Sequence, residues 1–432
     1  MRASTAIDVP VALLGYGTVG AAVSRLLAEG GDEIERATGH RLRVVKALVR
    51  DPDAERAYPP PAGVLTTDFE EIAGDPSIRL VAEVMGGLEP AGEHVLRLLR
   101  AGVPVVTANK QLLARRGGEL FAAAAEGEAQ LRFEASVCAA IPVIKVLREA
   151  LVVTNVHRVL GIVNGTTNFV LTRMEAGATY ADAVAEAQRL GYAEADPAED
   201  VNGADAAAKM AILATVAFGS RVVVDDVRYE GIEGLRPEHV EAARSLGAVI
   251  RLVGSAALVE GAVDVRVGPA LVDRSHPLAS VEGAFNAVML QGDAIREIML
   301  EGPGAGGIET ASAVVADLVG ILGTTGTGFL QGDACWRELP ILPPGELPTA
   351  SYVRLEVADR PGVLAQVAEC FAAERVSIAR LAQHLVDGAA ALDVVTHVAL
   401  SGRLEAALDA IAALPDVRER PRALRLVAER GL

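Results

Sequence analysis

Lysine is scarce in this sequence. Four of its forty basic residues are lysine, namely Lys46, Lys110, Lys145 and Lys209, and the other thirty-six are Arg. An Arg guanidinium keeps its proton in a protein, whereas a Lys ammonium gives it up when burial or a neighbour shifts its pKa. Proton transfer by a basic side chain therefore points to the lysines first. Basic residues are also outnumbered, and the formal charge of -17 excludes non-specific binding to phosphate backbones, which takes clustered Lys and Arg; nucleic acid is not an expected partner. Long apolar runs are missing as well. The stretch from Val143 to Val153 is broken by Lys145, Arg148 and Glu149, short of the roughly 20 apolar residues of a membrane span. The N-terminus enters a structured motif too early for a cleaved signal peptide, so a cytoplasmic protein is expected. Three cysteines, Cys138, Cys335 and Cys370, are widely spaced with no Cys-x-x-Cys pair, which excludes a disulfide framework and a zinc cluster. Each reads as a small buried hydrophobe, with Cys138 in a Val-Cys-Ala-Ala turn beside candidate site residues.

What is present is enough apolar sequence for two or three cores: 432 residues, 51% of them hydrophobic. Residues 9–14 read as a buried strand, and Gly15-Tyr16-Gly17-Thr18-Val19-Gly20 then opens an apolar-periodic helix through Leu27. That order of strand, glycine turn and helix suits a dinucleotide: the glycines allow a tight turn, close backbone approach to a pyrophosphate and close helix packing. A second strand, Leu42 to Val49, ends at Arg50-Asp51, where such folds place an acid for ribose hydroxyls or an Arg for a 2′-phosphate; Arg50 favours NADP over NAD. Gly30 to Arg41 reads as an extra connection before it. Further strands at Leu80 to Met85 and Val103 to Thr107, each followed by a helix, continue the alternation of a doubly wound parallel sheet. From Glu134 the alternation is less regular, as in an α+β domain. The proline-rich stretch 339–350 reads as a semi-rigid linker. After it the pattern is strand, helix, strand, strand, helix, strand, from Tyr352 to Ala428, a ferredoxin-like βαββαβ unit.

The segment from Gly191 to Lys209 concentrates acids, among them Glu194, Asp200 and Asp205, and then enters a strongly apolar helix from Lys209 to Phe218. Asp205 and Lys209 are four apart, so on one helix they share a face, with the acid toward the N-terminus as the dipole prefers. An exposed pair of this kind is worth a few tenths of a kcal/mol and needs no function. Here the helix is apolar on nearly all sides, which puts the pair at the entrance to a core. Desolvation would lower the Lys209 pKa while Asp205 would raise it, the balance a general acid-base lysine needs.

Five motifs in order now carry a resemblance over essentially the whole chain: Gly15 to Gly20, Thr107-Ala-Asn-Lys110, Asn164-Gly-Thr-Thr-Asn-Phe169, the Gly191 to Lys209 segment, and Gly302-Pro-Gly-Ala-Gly306 followed by Thr310 to Val315. The chain resembles the homoserine dehydrogenases that carry a C-terminal ACT domain. The resemblance implies a Rossmann-type NAD(P)-binding domain (1–133), an α+β substrate-binding and dimerisation domain (134–305), a return segment (306–338), the linker (339–350) and an ACT domain (351–432). It implies interconversion of L-homoserine and L-aspartate 4-semialdehyde with NADP or NAD, in threonine and methionine biosynthesis. Lys209 matches the proton donor and acceptor, and Lys110 a lysine lining cofactor and substrate. Glu194 and Asp205 match the carboxylates that hold the amino acid, with Asp200 in support. Gly191 and Gly306 match residues near the cofactor, the latter closing over the nicotinamide end.

The same resemblance implies a monovalent cation, usually sodium, held by the Glu134 carboxylate and the carbonyls of Val137, Ala139 and Ile141, oxygen ligands that suit a hard cation. Cys138, Ala139 and Ala140 stand where the family has glycines, a departure that bears on the turn, since glycine best tolerates positive φ. Ala358 to Leu364 resembles the ACT signature, which implies feedback control by an amino acid such as threonine, or else an ACT domain serving only dimerisation; a homodimer or homotetramer is expected. Two other classes stay in view. Another ACT-containing NAD-dependent dehydrogenase would need a His with a carboxylate partner, which His157, His239 and His276 do not offer in sequence. A cofactor-binding amino-acid sensor would have no use for Lys110, Asp205 and Lys209 together.

Overall fold

A computed structural model describes residues 7–194, 196–323, 339–386 and 389–427; Cys335 and Ala428 lie outside them. The chain forms two compact units. One holds the described residues of 1–159, 208–227 and 286–339, and the other those of 160–207, 228–285 and 340–432.

The first unit begins with β1 (Ile7–Leu14), α1 (Thr18–Glu29), α2 (Gly31–Thr38), β2 (His40–Leu48), β3 (Leu65–Thr66), α3 (Glu70–Ala73), β4 (Leu80–Glu83), α4 (Ala91–Arg100), β5 (Val105–Thr107), α5 (Lys110–Glu126) and β6 (Leu131–Arg132). The strands pair in parallel in the order β3-β2-β1-β4-β5-β6, the doubly wound sheet expected from the alternation. Val11 to Leu14 and Leu80 to Ala82 are buried on both faces, which is why these strands read as continuous apolar runs rather than alternating ones. The connection at Gly30 to Arg41 is itself helical, α2, closed by Gly39 at φ 73°. Strand order reverses between β1 and β4, and the crevice beyond their C-terminal ends is where such sheets bind ligands.

The chain continues through α6 (Val143–Lys145), β7 (Val156–Ile162), α7 (Gly165–Glu175), α8 (Tyr180–Leu190), α9 (Ala198–Val201), α10 (Ala204–Phe218), β8 (Arg228–Tyr229), α11 (Pro237–Ser245), β9 (Ala248–Val259), β10 (Ala262–Asp273), β11 (Phe285–Gly292), β12 (Arg296–Pro303) and α12 (Gly307–Gly323). It ends with β13 (Pro348–Thr349), β14 (Ser351–Val357), α13 (Val363–Ala373), β15 (Ile378–Val386), β16 (Ala389–Thr396), β17 (Ala399–Leu400), α14 (Ser401–Ala412) and β18 (Arg422–Val427). Helix α12 belongs to the first unit. Its buried Ala311, Val314, Leu318 and Ile321 recur at spacings of three and four, one helix face, and join Ala21, Val23 and Leu27 of α1 in a single apolar cluster.

In the second unit β9 and β10 form a long antiparallel pair. Strands β18, β14, β16 and β15 follow in that order, with α13 and α14 covering an apolar core of Val353, Leu355, Phe371, Leu392, Leu408 and Ile411. This is the ferredoxin-like βαββαβ unit. It is not tethered by a linker alone: β18 pairs in parallel with β10, Ala270 opposite Arg425 and Val272 opposite Val427. The start of the proline-rich stretch is hydrogen-bonded too, Val263 N–H to the Pro340 carbonyl at 2.7 Å and Leu342 N–H to the Val263 carbonyl at 2.9 Å.

Arg251 on β9 is fully buried, and burial disfavours its charged form. It is held by Glu175 at 3.2 Å and donates to the carbonyls of Ile250, Ala279 and Val281. Replacing it by Met leaves three carbonyls and part of a carboxylate without their donor. Arg251→Met is expected to cost about 3–5 kcal/mol in denaturant unfolding; a loss below about 1 kcal/mol would show that these bonds only break even against water.

Candidate active site

The three glycines of the first turn have three distinct surroundings. A Cβ on Gly15, at φ 106°, would lie 3.0 Å from the Met85 backbone, and one on Gly20 would lie 2.3 Å from the Gly15 carbonyl oxygen. Nothing stands within 4 Å of a Cβ on Gly17. Gly15 and Gly20 are therefore glycine for packing, and Gly17 leaves open space beside a helix start. Helix α1 has no side-chain cap, so among the described residues no capping side chain claims its first N–H groups. The space is a cleft of about 1040 Å³ lined by Gly15, Tyr16, Gly17 and Thr18, by Arg50, Asp51 and Arg56 after β2, and by Val84 to Gly87 after β4. Arg56 donates to the carbonyls of Asp51, Pro52 and Ala54 and holds the loop after β2 in shape. Phe69 and His94, stacked 3.8 Å apart, line the cleft too.

Glu83 fixes the floor of this cleft. Wholly buried, it accepts the N–H groups of Met85 and Gly86, each at 3.0 Å, and the Thr107 hydroxyl at 2.5 Å. Burial raises its pKa while these donors oppose the shift. Thr107 in turn accepts from the Asn109 N–H at 3.0 Å, and Asn109 caps α5 through its side chain. Lys110 is thereby set, half-buried, at the first position of α5. A cation at the positive end of a helix works against the dipole by about 0.3–1 kcal/mol, so its place there is not explained by helix stability. Later in the chain, a Cβ on Gly307 would come within 2.8 Å of the Thr18 side chain, so the glycine turn at 302–307 packs on the first glycine turn. Gly306 there has φ 143°.

Helix α10 starts at Ala204, five residues before the expected start at Lys209, which places Asp205 in its first turn and Lys209 one turn on. Lys209 is 8% exposed and Asp205 2%, among buried Ala206, Ala207, Ala208 and Met210. In the second unit the Asn164 amide donates to Asp205 at 2.8 Å and to Asp200 at 2.7 Å. The Asn164 carbonyl oxygen accepts the Thr167 N–H at 2.8 Å and so caps α7. Asn168 donates to the carbonyls of Val281 and Gly283, tying the same helix to the turn before β11. Asp200, Asp205 and Asn164 are thus brought together. Glu194 is solvent-exposed, with its carbonyl accepting from Gln188 at 3.2 Å, and Gly191 caps α8 at φ 79°.

Glu134 is 3% exposed and accepts the N–H groups of Ile144 and Lys145, both at 2.8 Å, while its own N–H donates to Asp317 at 2.8 Å. Burial pushes the Glu134 carboxyl up to about 7, with the charge of Asp317 adding to the rise. Asp317 is raised by burial as well, and the nearest ammonium, Lys145, is 3.6 Å from it. Lys145 and the buried Arg132 oppose that rise, and Arg132 is also bound to Glu149 at 3.1 Å, so the carboxylate oxygens here are of the kind that suits a hard cation. The turn that would present the carbonyls of Val137, Ala139 and Ile141 is left-handed without glycine: Cys138 has φ 55° and Ala139 φ 37°. Such positions cost about 1–3 kcal/mol each. The bonds from Ile141 N–H to the Cys138 carbonyl at 2.9 Å and from Asn286 to the Cys138 sulfur at 3.4 Å hold the turn in place.

Sequence reading passed over Glu83, Arg56, Asn164 as a side chain, and Asp317. Two of them carried a signal: Asn164 stands where an N-cap would precede Gly-Thr-Thr, and Asp317 is a lone acid inside an apolar helical run.

Three family models match the chain: "Homoserine dehydrogenase, NAD binding domain" over residues 15–134, "Homoserine dehydrogenase" over 142–319 and "ACT domain" over 351–416. The homoserine dehydrogenase of Corynebacterium glutamicum is 43% identical over 425 residues, covering 97% of this chain and 95% of its own. That of Bacillus subtilis is 38% identical over 396 residues, covering 90% and 91%. Among solved structures, a homoserine dehydrogenase from Thiobacillus denitrificans matches with a TM-score of 0.92 at 40% identity, covering 97% of this chain and 98% of that one. A hyperthermophilic archaeal homoserine dehydrogenase mutant in complex with NADPH matches with a TM-score of 0.60 at 30% identity, over 72% of this chain and 97% of that one.

The raised Glu134 pKa has a signed consequence. An unfolded carboxyl titrates near 4.5 and the folded one near 7, so the folded state holds this proton more tightly. The stability it contributes is full below about 4.5 and is lost as pH rises through about 7, on the order of 3 kcal/mol. In choline chloride, unfolding is expected to become easier from pH 5 to pH 8, and sodium chloride at equal strength should flatten that slope. Identical slopes in the two salts would remove the cation from this site.

Proposed function

The chain belongs to the homoserine dehydrogenase family, and on that premise we propose how its residues interconvert L-homoserine and L-aspartate 4-semialdehyde. A nicotinamide cofactor held along the turn from Gly15 to Gly20 would supply or accept the hydride at C4 of the substrate. Lys209 gives a proton to the substrate oxygen as the aldehyde is reduced and takes it back in the reverse direction. The observation that carries this is a nearly buried lysine one helical turn beyond a buried carboxylate. Low exposure strengthens charge stabilisation of a developing alkoxide, and Asp205 lies one helical turn before the lysine. Asp205 and Glu194 hold the amino-acid end of the substrate, with Asp200 orienting Asp205 through the Asn164 amide. Lys110 serves the substrate carboxylate and the cofactor. Glu83 does not touch substrate; it positions the backbone of Met85 and Gly86 along the cofactor cleft.

The pyrophosphate is assigned to the open start of α1, from Gly15 to Gly20, with Gly191 and Gly306 toward the nicotinamide end. Arg50 lines the cleft and, among the described residues, makes no carbonyl bonds of the kind that occupy Arg56, which supports a contact with a 2′-phosphate and NADP as the preferred cofactor; the archaeal relative solved with NADPH is in keeping. Sodium at Glu134 and the carbonyls of Val137, Ala139 and Ile141 has a structural role, neutralising buried charge. The ACT domain takes an amino-acid effector, with threonine the first candidate, and the protein works as a homodimer or homotetramer in the cytoplasm. Among the described residues, no helix is long and apolar enough to cross a membrane.

Lys209→Ala should lower kcat by about 10² or more with cofactor affinity retained; near-normal turnover would release Lys209 from its role. Arg50→Ala should reduce kcat/KM with NADPH and leave that with NADH nearly unchanged, and equal effects on the two would remove the argument for NADP. Threonine should inhibit the full-length enzyme, read as a shift in kcat or KM on titration. Truncation near 345 is a poorer test, because it strips β18 from β10.

A further inference from the structure

In the second unit, Arg354 on β14 and Arg422 on β18 are direct cross-strand partners in an antiparallel pair. Like charges so placed repel. Each has one carboxylate, and neither is fully spent. Arg354 lies 3.4 Å from Asp393, which also takes the Tyr352 hydroxyl at 2.6 Å and sits 3.3 Å from His384. Arg422 uses one terminal nitrogen on Glu230 at 2.6 Å and the Gly231 carbonyl at 2.8 Å. That leaves Arg354 Nε, Arg422 Nε and Arg422 Nη1 buried with no acceptor among the described residues. A buried donor left unmade costs about 1–3 kcal/mol, and more on a charged group.

These guanidinium groups line a cavity of about 380 Å³ together with Arg236, Arg420 and His239, and with Glu233, Glu356 and Glu419, of which Glu419 is bound to Arg236. His239 is 4% exposed and its pKa is driven down to about 4, by burial first and then by the charges of Arg236, Arg422 and Arg354. Its Nδ1 accepts the Arg236 N–H at 3.0 Å, so in the neutral ring the proton is assigned to Nε2, one more donor. Space for Arg422 is reserved: a Cβ on Gly234 would stand 2.6 Å from its Nη1. Arg236 and Arg420 are engaged with Glu419 at 2.9 Å and Glu405 at 2.6 Å, which leaves the cross-strand pair as the under-satisfied centre.

We propose that this cavity is a binding site for a small oxyanion, the carboxylate of an amino acid or inorganic phosphate, held between Arg354 and Arg422 with Arg236 at the rim. An anion there turns a repulsive cross-strand pair into a bridged one, and it does so on β18, the strand that joins the ferredoxin-like unit to β10. The inference is independent of whether threonine regulates the enzyme.

The test is calorimetric titration of the full-length protein in a buffer free of phosphate and carboxylates, with inorganic phosphate and L-threonine as separate probes. At least one probe is expected to bind, and Arg422→Gln to weaken that binding tenfold or more with kcat for homoserine within twofold of wild type. Arg236→Gln alters a side chain 45% exposed, so it guards against a folding defect, and it should weaken binding in the same sense. Binding of phosphate alone identifies an inorganic oxyanion site, and binding of threonine lost in both variants identifies a carboxylate site. Failure of both probes to bind, or binding equal to wild type in both variants, overturns the proposal. Threonine inhibition that survives both variants without phosphate binding also overturns it, while leaving the effector reading intact.

Discussion

Placing Lys209 and Asp205 in the first turns of a helix that is otherwise buried and apolar is the constraint on which the structure around them depends. Each buried charge costs several kcal/mol unless it is paired and hydrogen-bonded. The i,i+4 spacing on α10 makes pairing geometrically available, and the dipole favours the acid at the helix start. Asn164 supplies a neutral donor to Asp205 and to Asp200 without adding charge, and in the same stroke caps α7. A local sequence motif, Asn-Gly-Thr-Thr, is therefore a helix cap and a holder of two carboxylates at once.

Buried carboxylates recur in this chain as holders of backbone. Glu83 gathers two N–H groups and a hydroxyl below the cofactor cleft, and Glu134 gathers two N–H groups at the start of α6. Charge-assisted bonds to backbone are strong and directional, so each acid sets a turn that apolar packing alone would leave loose. The two differ in surroundings. Glu83 has neutral donors only, whereas Glu134 faces a second acid, Asp317, with Lys145 and Arg132 near it.

The ferredoxin-like unit is joined to its neighbour by a ladder as well as by the chain. Pairing of β18 with β10 makes main-chain hydrogen bonds between them, so a change at β14 or β18 is carried by a rigid sheet rather than by a linker. Regulation through such a unit needs a ligand that prefers one arrangement of those strands.

Much of the fold was legible in the linear order. The glycine turn, the alternation of strands and helices, and the βαββαβ tail follow from periodicity and from glycine placement, because such patterns report local backbone geometry and which face is buried. The Asp205 and Lys209 spacing was legible for the same reason. Partners distant in the chain were not. Asp317 against Glu134, 183 residues apart, and Arg354 opposite Arg422 depend on how strands and helices are brought together. The left-handed turn at Cys138 and Ala139 was beyond sequence as well, since its side chains argue against the conformation and only surrounding bonds impose it. The sequence by itself determined the family, the glycine turn and the i,i+4 placement of Asp205 and Lys209, because each is encoded within one or two turns of chain. Only the tertiary structure decided which buried charges meet which partners, because electrostatic compensation is a property of neighbours in space.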